Sequence, residues 1–278
     1  MRLTALVLTL AALSLGFVAC GDDDDDDGGS AEPQVFEVQA TEEGDETRIT
    51  APESAEPGAV EIRFSNNGED DHGIQVVRIG EGHTAAEIQE AGEAWGEGEG
   101  ELPDWIAFEG GIGSTQPGGS GIAVVDLEEG EYAAFDIEGT GPQPYAEFTV
   151  EGDEGDALAE VPAVIEAVEY DFNASELQAG SQRVLFENTG EEPHHLVAAP
   201  LKPGTTEADV KEFAQTEEGP PPIVESKAFD VAIVSGGESA VVDLRFESGE
   251  YGLFCFIPDR AGGPPHVAKG MATTATVE

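Results

Sequence analysis

Apolar and polar side chains follow a period of two over Ala59 to Ser65, and a looser form of it returns from Gln182 to Asn188. A period of two sets one side of an extended strand against a core and the other toward solvent, so both stretches predict half-buried β-strands. Gly, Asn and Pro turns separate further short runs of this kind. Two segments depart from the pattern. Thr84 with Glu87 three residues on is a capping-box sequence and predicts a short helix after Thr84, and a second helix is expected after Thr205 or Thr206, around 207–214. Many short strands with little helix predict an all-β sandwich, because a sheet must bury one face against another.

The strand pattern is written twice. Ile62-Arg63-Phe64-Ser65-Asn66-Asn67-Gly68 followed by His72 matches Val184-Leu185-Phe186-Glu187-Asn188-Thr189-Gly190 followed by His194. Ala123 to Leu127 recurs as Ala240 to Leu244, Gly130-Glu131-Tyr132 recurs as Gly249-Glu250-Tyr251, and both copies end in Thr-Val-Glu, at Glu151 and Glu278. Four matches in one order define an internal repeat. The organisation expected is a first domain over 33–151, an acidic Gly-containing linker over 152–161 and a second domain over 162–278.

Ahead of the repeats, MRLTALVLTLAALSLGFVAC presents Arg2, an apolar run from Thr4 to Ala19, and Cys20. The run is short for a membrane span and has the flanks of a secretory signal, so 1–19 is expected to be cleaved. Phe17-Val18-Ala19-Cys20 resembles a bacterial lipobox, in which the Cys is acylated and becomes the new amino terminus, although Phe17 stands where Leu is usual. The alternative is a plain signal peptide with Cys20 lost or buried. Residues 20–32, acidic and Gly-rich, read as a solvated tether. No second apolar span of membrane length follows.

Charge narrows the partners. Asp and Glu number 59 against 11 Lys and Arg, a formal net charge of -48, which repels nucleic acid and anionic lipid and excludes both as binding partners. The acid is spread through the chain, as in proteins that stay hydrated in strong salt, where self-repulsion is screened; a halophilic source is one expectation and a merely acidic exported protein the other.

The candidate chemistry lies in the second repeat. Cys255 ends a predicted strand, His266 and Met271 follow it before the last strand, and Pro193-His194-His195-Leu196 sits between an Asn-x-Gly turn and an apolar strand. A thiolate, two imidazoles and a thioether form a ligand set that both Cu(I) and Cu(II) accept, with a trigonal His2Cys plane and a long axial Met. The same residues could instead be a small buried hydrophobe, two surface imidazoles and a core thioether. Against that stands the isolation of Cys255, the one thiol left once Cys20 is lipidated; an unpaired Cys in an exported protein calls for a reason.

This order and its contexts resemble the cupredoxins, the blue copper family of plastocyanin and azurin, over 163–278. The resemblance implies two tandem Greek-key β-sandwiches, each with a short helix, and one type 1 copper held by His194, Cys255, His266 and axial Met271. His195 takes the place usually held by Asn and is the alternative to His194 as the upstream ligand. The interval from Cys255 to His266 is longer than in the best-known members, which would either loosen the site or shield it. In the first repeat Asp136 replaces the Cys, Pro144 stands where Met271 does, and no His lies between Asp136 and Glu151, so no copper of this type is expected there. His72 and His83 read as surface or hydrogen-bonded residues, and the GEGEGE segment between Trp95 and Trp105 as a mobile loop with local packing.

The function implied by the resemblance is one-electron transfer at the outer face of a membrane, with a redox partner protein of unknown identity and with His266 as the exposed edge for electrons. The spread of acid would favour a basic patch on that partner. Copper oxidases and nitrite reductases need further imidazoles and usually a His beside the Cys; here Phe254 and Phe256 flank Cys255 and the whole chain has five His, so no enzyme is expected. The competing reading is a non-redox copper-handling lipoprotein or a metal-free interaction module.

Overall fold

The structure, a computed structural model, describes residues 32–44, 46–138, 143–153, 155–216 and 218–278. The leader 1–19, Cys20 and the tether as far as residue 31 lie outside the described residues. Among the described residues no helix is long and apolar enough to cross a membrane.

In the first half β1 (Gln34–Glu43), β2 (Glu46–Thr50), β3 (Ser54–Ala55), β4 (Gly58–Asn66) and β5 (His72–Ile79) precede helix α1 (Ala85–Gly96), and β6 (Ile106–Thr115), β7 (Ser120–Leu127), β8 (Gly130–Asp136) and β9 (Tyr145–Val150) follow it. The second half repeats this order without the short β3: β10 (Ala163–Val168), β11 (Asp171–Ser175), β12 (Gly180–Asn188), β13 (His194–Pro200), helix α2 (Glu207–Thr216), β14 (Phe229–Val234), β15 (Ser239–Phe246), β16 (Gly249–Phe254) and β17 (Ala272–Val277). In each half the chain crosses from one sheet to the other before β5 or β13, before β7 or β15 and again before β8 or β16, giving an all-β, cupredoxin-like sandwich. The alternating positions behave as expected: Val60, Ile62 and Phe64 of β4 and Val184 and Phe186 of β12 are buried.

Both helices begin where their caps dictate. Glu87 N–H donates to Thr84 Oγ1 while Thr84 N–H donates to Glu87 Oε2 at 2.9 Å, a reciprocal box. Thr206 and Asp209 make the same exchange at the start of α2, with Thr206 N–H donating at 2.8 Å and Asp209 N–H at 3.3 Å.

The two halves are joined edge to edge rather than strung on a linker. One sheet runs β11-β10-β12-β15-β7-β4-β1-β2 and the other β17-β16-β13-β14-β6-β5-β8-β9-β3, so every strand at the junction is paired. In the first seam the repeated Ala-Val-Val pairs antiparallel with its own copy, Val124 opposite Val241, which is the self-complementary contact of a two-fold dimer built within one chain. The second seam is a single ladder pair, Val234 with Glu109, and is completed by side chains. Gln75 donates to Ile233 O at 2.9 Å and accepts from Ile233 N–H at 2.7 Å, and Ser235 Oγ accepts from Phe108 N–H at 2.8 Å. The ladder is short because β6 kinks at Gly110-Gly111. Gly111 has φ +148°, and a Cβ there would stand 1.9 Å from Ile74 O, so only glycine lets β5 and β6 stay paired through the kink. One apolar core runs through both halves, from Phe36 and Phe64 to Phe186 and Leu253.

Glu109 is buried at this seam, and burial, with Glu238 beside it, pushes its carboxyl up to about 8. A raised carboxyl keeps its proton in the folded chain over a range where the unfolded chain has lost it. Stability therefore falls as pH rises from 4.5 to about 8, by up to about 1.4 kcal/mol per pH unit. Glu109→Gln should flatten that part of the pH profile and melt higher than the parent above about pH 8, as read by thermal denaturation across pH.

Candidate metal centre

The upstream histidine is placed by an asparagine. Asn188 is buried, and its amide donates to Glu192 O at 2.7 Å and Val234 O at 3.0 Å while its Oδ1 accepts from Gly190 N–H at 3.0 Å. One side chain thus closes the turn, ties it to β14 and starts β13 at His194. Asn66 repeats the device in the first half, donating to Asp70 O and Thr115 O and accepting from Gly68 N–H, and starts β5 at His72. The twice-written Asn-x-Gly was the sequence signal for this role.

The other donors come from the segment between β16 and β17. Cys255 follows the last residue of β16, and Met271 precedes the first residue of β17. Val267 N–H donates to Cys255 O at 2.8 Å, His266 N–H to Ile257 O at 2.9 Å and Met271 N–H to His266 O at 3.0 Å, so the backbone holds both ends of the segment against the thiol. A single 3-10 turn, His266–Lys269, carries the second imidazole, and Gly270 closes it at φ +105°.

His194, Cys255 and His266 bring their donor atoms within 4.8 Å of one another. His266 Nδ1 lies 3.4 Å from Cys255 Sγ and 3.0 Å from His194 Nδ1, and His194 Nδ1 lies 3.8 Å from the sulfur. All three residues and Met271 are buried, at 0% exposure. His195 is half-buried, with its Nδ1 3.4 Å from the sulfur and its backbone N–H turned to the same atom, but it does not join the three-donor cluster. Burial pushes the Cys255 thiol up to about 12, only partly opposed by the backbone N–H groups of His195 and Ile257. Burial also lowers His194 to about 3, assisted by the charge of His266 and His195, and lowers His266.

These residues fit a metal. Two imidazole Nδ1 atoms and a thiol sulfur, all buried, converge within 4.8 Å, and among the described residues His194 Nε2 has no hydrogen-bond partner. A soft thiolate with two imidazoles and a nearby thioether is the donor chemistry of a single type 1 copper.

The outer wall of the site overturns one expectation. His266 was expected to present an exposed edge, yet its Nε2 meets Asp259 Oδ1 at 2.9 Å and the ring is fully covered. The cause is the long interval after Cys255. Its extra residues turn at Asp259 to Gly262 and lie against the segment after α1, shielding the site. Trp95 Nε1–H donates to Asp259 O at 2.7 Å, Leu102 N–H to Arg260 O at 2.7 Å, and the Arg260 guanidinium to Pro103 O and Ile106 O at 3.1 and 2.9 Å. The backbones meet so closely that a Cβ on Gly262 would stand 2.4 Å from Gly100 O. The GEGEGE segment, expected to pack only locally, is therefore the bed on which the ligand segment rests. His83, as expected, lies at the surface, where it stacks on Trp105 at 3.9 Å.

At the matching place in the first half an ion pair stands where the second has donors for a metal. His72 Nδ1 lies 2.6 Å from Asp136 Oδ2 and its Nε2 lies 2.9 Å from Glu42 Oε1. Burial opposes an imidazolium here, but Glu42 and Asp136 outweigh it and raise His72 above 6.5.

No family model matches the chain, and no curated protein does. Among solved structures, auracyanin B is 25% identical, overlapping 44% of this chain and 93% of its own with a TM-score of 0.27. Auracyanin A, a blue copper protein from the green thermophilic photosynthetic bacterium Chloroflexus aurantiacus, is 19% identical over 43% of this chain and 100% of its own, TM-score 0.31. A multicopper oxidase is 16% identical over 88% of each chain, TM-score 0.26. The chemistry of the centre stands on its own donor atoms.

Two outcomes follow from these geometries. Cu(II) uptake displaces the thiol proton, so its affinity should rise about tenfold per pH unit below the thiol value, with His194 adding to this only near pH 3, in competition titrations against a chelator. His72→Leu strands Asp136 without its partner and should lower stability by about 3–5 kcal/mol. The deficit should be full below pH 6.5 and shrink as pH rises through the folded His72 value, where the parent loses its imidazolium, in urea unfolding at stepped pH.

Proposed function

We propose that the chain is a one-electron carrier that would hold one type 1 copper in its second half through His194, Cys255, His266 and Met271. The observation that carries this reading is the convergence of a buried, free thiol and two buried imidazole Nδ1 atoms within 4.8 Å of one another. Copper bound there supplies a couple that gains and loses a single electron with little change of geometry.

The protein's own part is to hold and to seal. The backbone N–H groups of His195 and Ile257 point at the sulfur and favour its thiolate, and the sheet and the segment ends hold the two imidazole Nδ1 atoms beside it, 3.0 Å from one another. Fully buried donors leave no approach for a substrate, which favours a carrier over an oxidase or reductase. With His266 covered, the exposed large apolar side chain beside the site is Phe256, adjacent to Cys255 in sequence and 50% exposed. Its ring stacks on Phe254 at 5.9 Å and lies 6.2 Å from His195, and we read this as the face that a redox partner protein touches. The acidic surface suits a partner with a basic patch. The lipobox-like Cys20 supports attachment by lipid at the outer face of a membrane, with the acidic tether as spacer.

A Cu(II) titration followed by visible absorption and electron paramagnetic resonance tests the reading. One equivalent should give an intense thiolate-to-copper band with narrow hyperfine splitting, and Cys255→Ser should give neither; a colourless parent protein sinks the proposal. Phe256→Ala should keep the band and slow electron self-exchange about tenfold, equivalent to about 1.4 kcal/mol in the barrier.

A further inference from the structure

The residue that covers His266 is itself held from four directions. Asp259 Oδ1 lies 2.9 Å from His266 Nε2 and accepts from Tyr170 Oη–H at 3.1 Å, and Lys269 Nζ pairs with Oδ2. Its backbone oxygen accepts the Trp95 indole N–H, and the next residue, Arg260, is anchored on Pro103 O and Ile106 O. Tyr170 also sets its ring edge-on to His266 at 5.3 Å and lies under the Lys269 ammonium at 4.9 Å.

An ionised carboxylate only accepts hydrogen bonds, so its partner nitrogen on His266 must be the protonated one. That leaves Nδ1 with a free lone pair, and Nδ1 is the atom that faces Cys255 and His194. A carboxylate on the far nitrogen also makes the near one a stronger base, and a stronger base favours the more highly charged of two metal oxidation states. Two of the contacts that keep Asp259 and Arg260 in place come from the first half of the chain, across more than a hundred and fifty residues of sequence.

We propose that Asp259 is a positioning residue that fixes His266 in its metal-binding tautomer and biases the copper couple toward Cu(II), and that the first half acts on the centre by holding Asp259 there through Trp95. The bias toward Cu(II) rests on the copper reading of the site; the tautomer does not.

Two measurements on the full chain test this. In the metal-free protein, nitrogen-15 NMR of His266 should show the Nε2–H tautomer alone, and Asp259→Asn, whose amide can donate as well as accept, should populate both tautomers. In the copper-loaded protein, Asp259→Asn should keep the blue band and shift the Cu(I)/Cu(II) balance about tenfold toward Cu(I), a rise in potential of about 59 mV for one electron. Trp95→Phe should shift the potential the same way by less, and Lys269→Gln, which leaves the Asp259 carboxylate to His266 and Tyr170 without a competing cation, should lower it. A blue Asp259→Asn protein with unchanged potential and an unchanged His266 tautomer overturns the proposal while leaving the copper site intact. A parent protein that takes up no copper overturns the reading of the site and with it the bias, while the tautomer still decides whether Asp259 positions His266.

Discussion

An exposed sheet edge is a row of unpaired backbone donors and acceptors, and each half of this chain turns two of its edges toward the other, β7 and β6 in the first half and β15 and β14 in the second. Pairing each with its counterpart in the other half removes all four at once. The arrangement of everything else follows from that pairing. It turns two sandwiches into a body with continuous sheets and one core, and it brings the segment after α1 against the residues that follow Cys255. A flexible connection between two separate sandwiches would not hold a ligand segment to the tolerance that the close contact between Gly262 and Gly100 requires.

Within this shared frame the same position is satisfied in two ways. Where Cys255 follows β16, the neighbouring imidazoles are left neutral, facing one another, with donor atoms that suit a cation. Where β8 ends in Asp136, the carboxylate takes a proton-bearing His72 as its partner and Glu42 completes the pair. The substitution of a carboxylate for a thiolate changes a metal-demanding cluster into a self-sufficient one, because the carboxylate is already charged and the imidazole can become so. The Asn66 and Asn188 turns upstream are alike in both halves, so the difference lies in the donors and not in the scaffold.

Much of this was legible in the chain before folding. The period of two over Ala59 to Ser65 identified β4, and the Thr84 and Glu87 pair located the start of α1, since both depend on contacts between near neighbours. The repeat showed that the two halves share a design, and the spacing of His194, Cys255, His266 and Met271 grouped the donors, because residues at the ends of paired strands are brought together by the ladder itself.

The tertiary structure alone decided how those pieces face one another. Which strand edges meet depends on contacts between β7 and β15, far apart in sequence, and no local pattern encodes them. The length of the interval after Cys255 was visible, but whether it loosened or sealed the site depended on the bed that residues 95–106 provide. His266 was expected to be exposed because the resemblance implied an open edge there; it is buried because Asp259 and Lys269 of its own segment and Tyr170 between β10 and β11 converge on it. Local alternation, caps and donor types are written in short stretches of sequence, whereas burial and hydrogen-bond partners at the centre belong to surfaces that come into being only when distant segments pack.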